Sequence, residues 1–198
     1  MKPILFFVAA LLLNLSASYG QEAAAINAAL DKMTSASITG DIPQMIESTS
    51  PRLIKAMGGR EQASLFFREA YAKLAKQNVK IDSAAHYHAR EILTFAGIQY
   101  CFIPQILIMR IPDRSKRMLT LTALMAIKEE GGTAWTFLDC SQLNEEKVAI
   151  ILPEFKGHEY PTVPDMKPYV LPKEEVDQAI DLFFKGLDRH FQQTSDKP

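Results

Sequence analysis

No stretch beyond Leu15 reaches the roughly eighteen consecutive apolar residues that a membrane helix needs, so no integral span is expected once the N-terminus is set aside. Charge of one sign is lacking as well. A formal net charge of −1 gives no electrostatic reason to expect a nucleic-acid partner. The chain contains no Gly-x-Ser-x-Gly elbow, His-Glu-x-x-His, Cys-x-x-Cys, dinucleotide fingerprint or phosphate loop. The motif-bearing hydrolase, zincin, redox and nucleotide classes therefore lose support, and no cofactor is expected. His86 and His88 project the same way from an extended segment, but no third ligand sits at a recognisable spacing. They are expected to be solvated, with no metal.

The first twenty residues have the order of a secretory signal peptide. Lys2 precedes the apolar run Ile4 to Leu15, and the small-residue stretch Ser16-Ala17-Ser18-Tyr19-Gly20 follows. Cleavage after Gly20 would export the protein to a periplasm or the medium. No cysteine stands just after the cleavage region, which argues against a lipid anchor. The remaining chain, 47% hydrophobic overall, suits one core. It divides into 21–144, an α+β unit, and 145–198, a proline-rich segment ending in an amphipathic helix.

The centre of the α+β unit is a β-meander, Gly97 to Ile111, Met118 to Glu130 and Thr133 to Cys140, separated by Pro112 to Lys116 and by Gly131-Gly132. A two-residue turn at the glycines would set Glu130 opposite Thr133. Trp135, Phe137 and Asp139 then face Lys128, Ala126 and Leu124, and Thr136, Leu138 and Cys140 share the other side with Ile127, Met125 and Ala123. Both sides of the first two runs are apolar, so the second sheet face must be covered too. Export would permit a disulfide, but Cys101 and Cys140 lie on the first and third strands, roughly 9 to 10 Å apart across the sheet and about five residues out of level. Two buried free thiols are expected.

Around the meander, helical spacing runs through Ile26, Leu30, Met33 and Ser37, Gly40 ends that helix, and Asp41 can cap a short second one. Arg52 to Met57 reads as a short edge strand or irregular link. Arg60 to Gln77 is the clearest helix, and its wide stripe of Ala63, Phe66, Phe67, Ala70, Tyr71 and Leu74 is expected to line the concave side of the sheet. Val79 to Ala89 alternates as a strand with one polar side. Five prolines from Pro153 to Pro172 are expected to keep the chain extended, and a last helix, Lys173 to Gln193, sets Val176, Ile180, Phe183, Phe184, Leu187 and Phe191 on one face. Helices followed by strands mean α+β, with N-terminal helices packed on a curved antiparallel β-sheet and a C-terminal helical extension. The apolar face of that extension is expected to pack on its own domain, with a partner chain or a membrane surface as the alternatives.

From about Ala23 to Ser141 the chain resembles the nuclear-transport-factor-2-like superfamily, the cone-shaped domains that include SnoaL-like cyclases, ketosteroid isomerases and scytalone dehydratase. The resemblance rests on the long first helix, the Gly40-Asp41 break, Gly58-Gly59-Arg60 opening a third helix, and the closing strand Gly131-Gly132-Thr133-Ala134-Trp135-Thr136-Phe137. It implies a pocket at the open end between helices and sheet, and an outer sheet face that can form a homodimer. No catalytic residue of those enzymes has a matching motif here. Trp135 and Asp139 share a face with Phe137, with Tyr100 or Arg110 from the first meander strand as further members. Tyr100, Trp135 and Asp139 are accordingly the candidate ligand-binding residues. Gly58-Gly59 with Arg60 could face an anion, but a glycine turn needs none. The expected function is an exported module that binds a small apolar ligand or another protein. The alternative is a cofactor-free isomerase, cyclase or dehydratase using a pocket acid or base.

Overall fold

The computed structural model describes residues 3–89, 91–157 and 167–195, with side chains from Gly20 onward except at 142 and 193–195. Among these residues the fold is α+β, with six α-helices and an open six-stranded antiparallel sheet. Two long central strands, β3 (Ile98–Arg110) and β4 (Lys116–Lys128), form its middle. Each is flanked by two short strands laid end to end. The outer edge of β3 carries β1 (Lys80–His86) and β2 (Leu93–Phe95), while that of β4 carries β5 (Thr136–Asp139) and β6 (Tyr169–Pro172). Pro161 and Pro164 of the expected extended run lie outside the described residues.

The register expected at the glycines holds. Leu124 pairs with Asp139, Ala126 with Phe137 and Ile127 with Thr136. The turn itself differs, because Gly132 N–H donates to Glu129 O at 2.9 Å and only Gly131 has positive φ, +69°. A Cβ on Gly132 would stand 3.0 Å from Glu129 O, so glycine is required there by close backbone approach. Across β3 and β4 the pairs run from Gln99 with Lys128 to Arg110 with Arg117. Cys101 is therefore level with Phe137, three residues from Cys140 rather than five. The two thiols are free and buried in cores on opposite sheet faces, and burial pushes both up to about 12.

Both faces of the sheet are covered, as two-sided apolar strands require. On one, α1 (Pro3–Thr39) lays Ile26, Leu30 and Met33 against Cys101, Ile103, Leu124, Ala126, Trp135 and Phe137. Ala29 and the buried Ala36 on the same helix let it approach closely. On the other face, α5 (Glu145–Ile151) and the turn after it press Val148, Ile151, Leu152 and Phe155 onto Tyr100, Met125 and Leu138. Further along that face, α6 (Val176–Ser195) packs Val176, Ile180, Phe183 and Phe184 on Ile106, Ile108 and Leu119. The C-terminal helix thus covers its own sheet, and the outer face that a homodimer would use is occupied by the chain itself.

The helix expected to line the sheet does not. Arg60–Lys76 (α4) buries only Ala63 fully and leaves Phe66 57% exposed. The reason is the segment read as a strand or link. Pro51–Ala56 is helix α3, with Pro51 in its first turn, and with α2 (Ile42–Ser48) it supplies Ile46 and Ile54. Ala63 and Phe67 pack on those two residues, so α4 stands one layer farther out. Asp41 caps α2 as expected, accepting from Gln44 N–H at 3.1 Å. Between α2 and α3, the buried Ser50 donates its N–H to Phe137 O at 2.9 Å, hooking the helices to β5.

These placements rank two substitutions. Leu30→Ala should destabilise by about 2 to 5 kcal/mol, whereas Phe66→Ala should cost about 0.5 kcal/mol or less, measured by urea unfolding. The reverse order would restore α4 as the helix on the sheet.

Candidate functional site

The displaced α4 leaves a cavity of about 210 Å³ between helices and sheet. Met33, Thr34 and Ser37 of α1, Met45 of α2, Leu53 of α3 and Phe67 of α4 form its helical walls, and Ile81, Ala84, Gln105, Leu107, Leu124 and Phe137 its floor. An apolar groove of about 760 Å³ adjoins it, sharing Leu53, Phe67 and Asp139 and adding the exposed Leu65 and Phe66. An apolar cavity of about 150 Å³ already accepts a benzene-sized molecule, so this one has room for a small ligand.

The one polar side chain of the floor, Gln105, belongs to a row of polar side chains across three strands. His86, Gln105 and Thr122 are consecutive partners on β1, β3 and β4. Thr122 Oγ1 donates to Gln105 Oε1 at 3.1 Å, and Gln105 Nε2 lies 2.7 Å from His86 Nε2. An amide nitrogen only donates, so His86 Nε2 accepts and the ring is neutral. Gln105 and Thr122 are buried, 4% and 8% exposed, which makes this pairing necessary. Above the row, the buried Thr34 Oγ1 has no hydrogen-bond partner among the described residues.

The three candidate residues are not brought together. Tyr100 pairs with Ile127 and points to the opposite face, where its ring meets Phe155 at 5.1 Å and Phe102 at 5.7 Å. It is a core residue of the tail layer. Trp135 lies on the α1 face but away from the cavity, its Nε1 donating to Glu22 Oε2 at 2.9 Å and its ring 5.2 Å from Lys128 Nζ. The hydrogen bonds from Lys128 and then Trp135 hold the Glu22 carboxyl below its usual range. Asp139 does reach the rim of cavity and groove, yet its carboxylate is exposed and accepts from Ser141 N–H at 2.8 Å, capping the 3₁₀ turn Cys140–Gln142.

The histidines also depart from expectation. A bulge between Ile81 and Ser83 reverses the alternation of β1, so Ile81 and Ala84 face the cavity while Ser83 and Ala85 turn to the tail side. His86 is half-buried against Gln105, and His88 lies beyond the strand, exposed. Gly58 and Gly59, both at positive φ, join α3 to α4, two helices rather than a strand and a helix. Gln105, Thr122 and Thr34 were not singled out from the sequence. Gln105 carried a signal, as the lone polar side chain between Cys101 and Met109, but Thr122 shares its strand with Thr120 and Thr34 sits among Lys32, Ser35 and Ser37, so neither stood out.

Compared with protein-family models, curated proteins and solved structures, the chain finds no match in any of the three. Among the described residues no cluster of three His, Cys, Asp or Glu side chains could hold a metal, and no helix is long and apolar enough to cross a membrane.

Burial lowers the His86 imidazole below its ordinary value near 6.5, with the charge of Asp31 opposing part of that shift. The unfolded chain then binds the proton more readily, so this contribution to stability is full above 6.5 and lost as pH falls from there toward the lowered value. Unfolding midpoints measured between pH 7.5 and 5 should decline, and His86→Gln should flatten the decline. An unchanged slope in that variant would remove His86 as its source.

Proposed function

We propose that this chain is an exported binding module, similar in build to nuclear-transport-factor-2-like domains, that holds a small, largely apolar molecule carrying one hydrogen-bonding group. The observation that carries the reading is the cavity: apolar walls from Met33, Met45, Leu53 and Phe67 stand over a floor whose polar side chain, Gln105, is already paired, and the Thr34 hydroxyl in the wall is not. A preformed apolar pocket with a few placed polar groups is what recognition of a small apolar ligand requires. Thr34 lines the cavity, and its hydroxyl, buried and unpartnered as it stands, gains a partner by turning toward the ligand's polar group, since leaving it unpaired costs about 1 to 3 kcal/mol. Entry runs along the groove beside Leu65 and Phe66, whose exposure suits a surface that an apolar molecule crosses. Export rests on the leader read in residues 1–20.

The acid–base alternative draws no support from Asp139, whose carboxylate is exposed and engaged in capping. His86 is neutral and turned to Gln105, a structural use of its ring.

The uncharged dye N-phenyl-1-naphthylamine, apolar with a single N–H, tests the reading. Its fluorescence should rise on titration with the protein and saturate at one dye per chain. Ala84→Trp, which fills the floor, should weaken binding by roughly tenfold or more, while Leu182→Ala on the exposed face of α6 should leave it unchanged. Equal binding by the Ala84→Trp protein, folded by circular dichroism, would contradict the proposal, as would no binding by the wild type.

A further inference from the structure

A second concavity, of about 810 Å³, lies at the β3–β4 turn, away from the apolar groove. Five cationic residues line it: Lys80 at the start of β1, Arg110 and Arg117 at the facing ends of β3 and β4, Arg114 in the turn between them, and Lys173 after β6. For a chain of net charge −1 this is a strong local excess. The carboxylate that holds two of them is Asp82, the bulged residue of β1, whereas Asp113 in the turn pairs with Lys116 at 3.1 Å and does not line the cleft. Its Oδ2 accepts from Arg117 Nε at 2.8 Å and its Oδ1 from Arg110 Nη2 at 2.5 Å. Burial alone would raise the Asp82 carboxyl, but the hydrogen bonds from Arg117 and Arg110 outweigh it and keep the group ionised, below its usual range.

Arg117 is the informative member. It is only 6% exposed, yet it lines the cleft. Asp82 holds its Nε, and the carbonyls of Arg114 and Lys116 accept from its Nη1 at 3.2 and 2.8 Å. Its Nη2 keeps no hydrogen-bond partner among the described residues. A buried guanidinium that lines a cleft, fixed on two nitrogens and with the third unbonded, is organised in advance to receive an acceptor. Lys80, Arg114 and Lys173 stand round it with no ion pair among the described residues. Glu174 and Glu175 follow Lys173 but do not line the cleft.

We propose that this cleft binds a small molecule bearing two or more adjacent phosphoryl or sulfate groups, with Arg117 as the fixed contact and Lys80, Arg114 and Lys173 as the outer charges. One Asp82 carboxylate cannot neutralise five cations, and a multiply charged anion supplies the remainder. The β1 bulge is what sets Asp82 opposite both arginines, so the local departure from strand geometry has a use at this end of the sheet. A free phosphorylated compound and an anionic lipid headgroup share this chemistry.

The test uses the full chain with inorganic pyrophosphate by calorimetry, and with vesicles containing 30% phosphatidylglycerol by sedimentation, each at low and moderate salt. Binding should weaken as salt rises. The double substitution Arg114→Glu with Lys173→Glu, both exposed and outside the core, should weaken it by roughly tenfold or more. Lys55→Glu, a charge reversal on α3, should change it by less than about twofold. Pyrophosphate binding without vesicle binding identifies a soluble ligand, and vesicle binding without pyrophosphate binding identifies a headgroup; either supports the site. No binding of either probe by the wild type, or equal loss in the Lys55→Glu protein, overturns it.

Discussion

Two thirteen-residue strands that are apolar on both faces cannot leave either face in water, and the rest of the molecule follows from that constraint. Cys101, Ile103, Leu124 and Ala126 need one cover, and Tyr100, Ile106, Ile108, Leu119 and Met125 another. The N-terminal helix meets the first need and the C-terminal third of the chain the second. Each large side chain taken out of water in these layers contributes about 1.5 to 3 kcal/mol. Ile26, Ile103 and Phe155 are essentially inaccessible, whereas Phe66 is more than half exposed, so the weight of stabilisation lies with α1 and the tail rather than α4.

That distribution has a consequence for the site. Because α2 and α3 come between α4 and the sheet, the helical layer closes imperfectly over Ala84, Gln105 and Leu107, and the cavity is the gap that remains. Polar residues on its floor would be costly there if unpaired, and the lateral row His86, Gln105 and Thr122 removes most of that cost by bonding across the strands. The end of the sheet at the β3–β4 turn has a different character. There the apolar side chains give way to arginine at facing positions, and a single bulged aspartate holds both guanidiniums in place.

Much of this was legible in the chain. The Gly131-Gly132 pair placed Phe137 opposite Ala126 even though the turn takes a different form, because the reversal that forms keeps the same number of residues between the strands. Two-sided hydrophobicity required a covering layer, and the spacing of Val176 to Phe184 named it. What could not be read has physical causes. The five-residue link between β3 and β4 does not fix a register, so the face of Tyr100 stayed open and the offset of the cysteines was misjudged by two residues. A bulge inserts one residue without a composition signature, which hid the reversal at Asp82. The short α3, β2 and β6 carry too few periods to announce themselves. The stripe on α4 was wide but misleading, since amphipathicity gives a helix an apolar side without saying which layer it joins. Around the cavity, Asp139 stands at the rim as a capping residue, Gln105 passed as one polar residue in an apolar run, and Thr34 was hidden among the polar residues of its helix.

The most direct measurement is a set of nuclear Overhauser contacts on the folded protein with labelled methyl and aromatic groups. The structure requires cross-peaks from Ile26 and Leu30 methyls to Ile103 and Phe137, and from the Phe155 ring to Tyr100, with none from Phe66 to the sheet. Contacts from Phe66 to Ile103 or Leu124, with Ile26 and Leu30 free of the sheet, would contradict the two-cover arrangement and the cavity that depends on it.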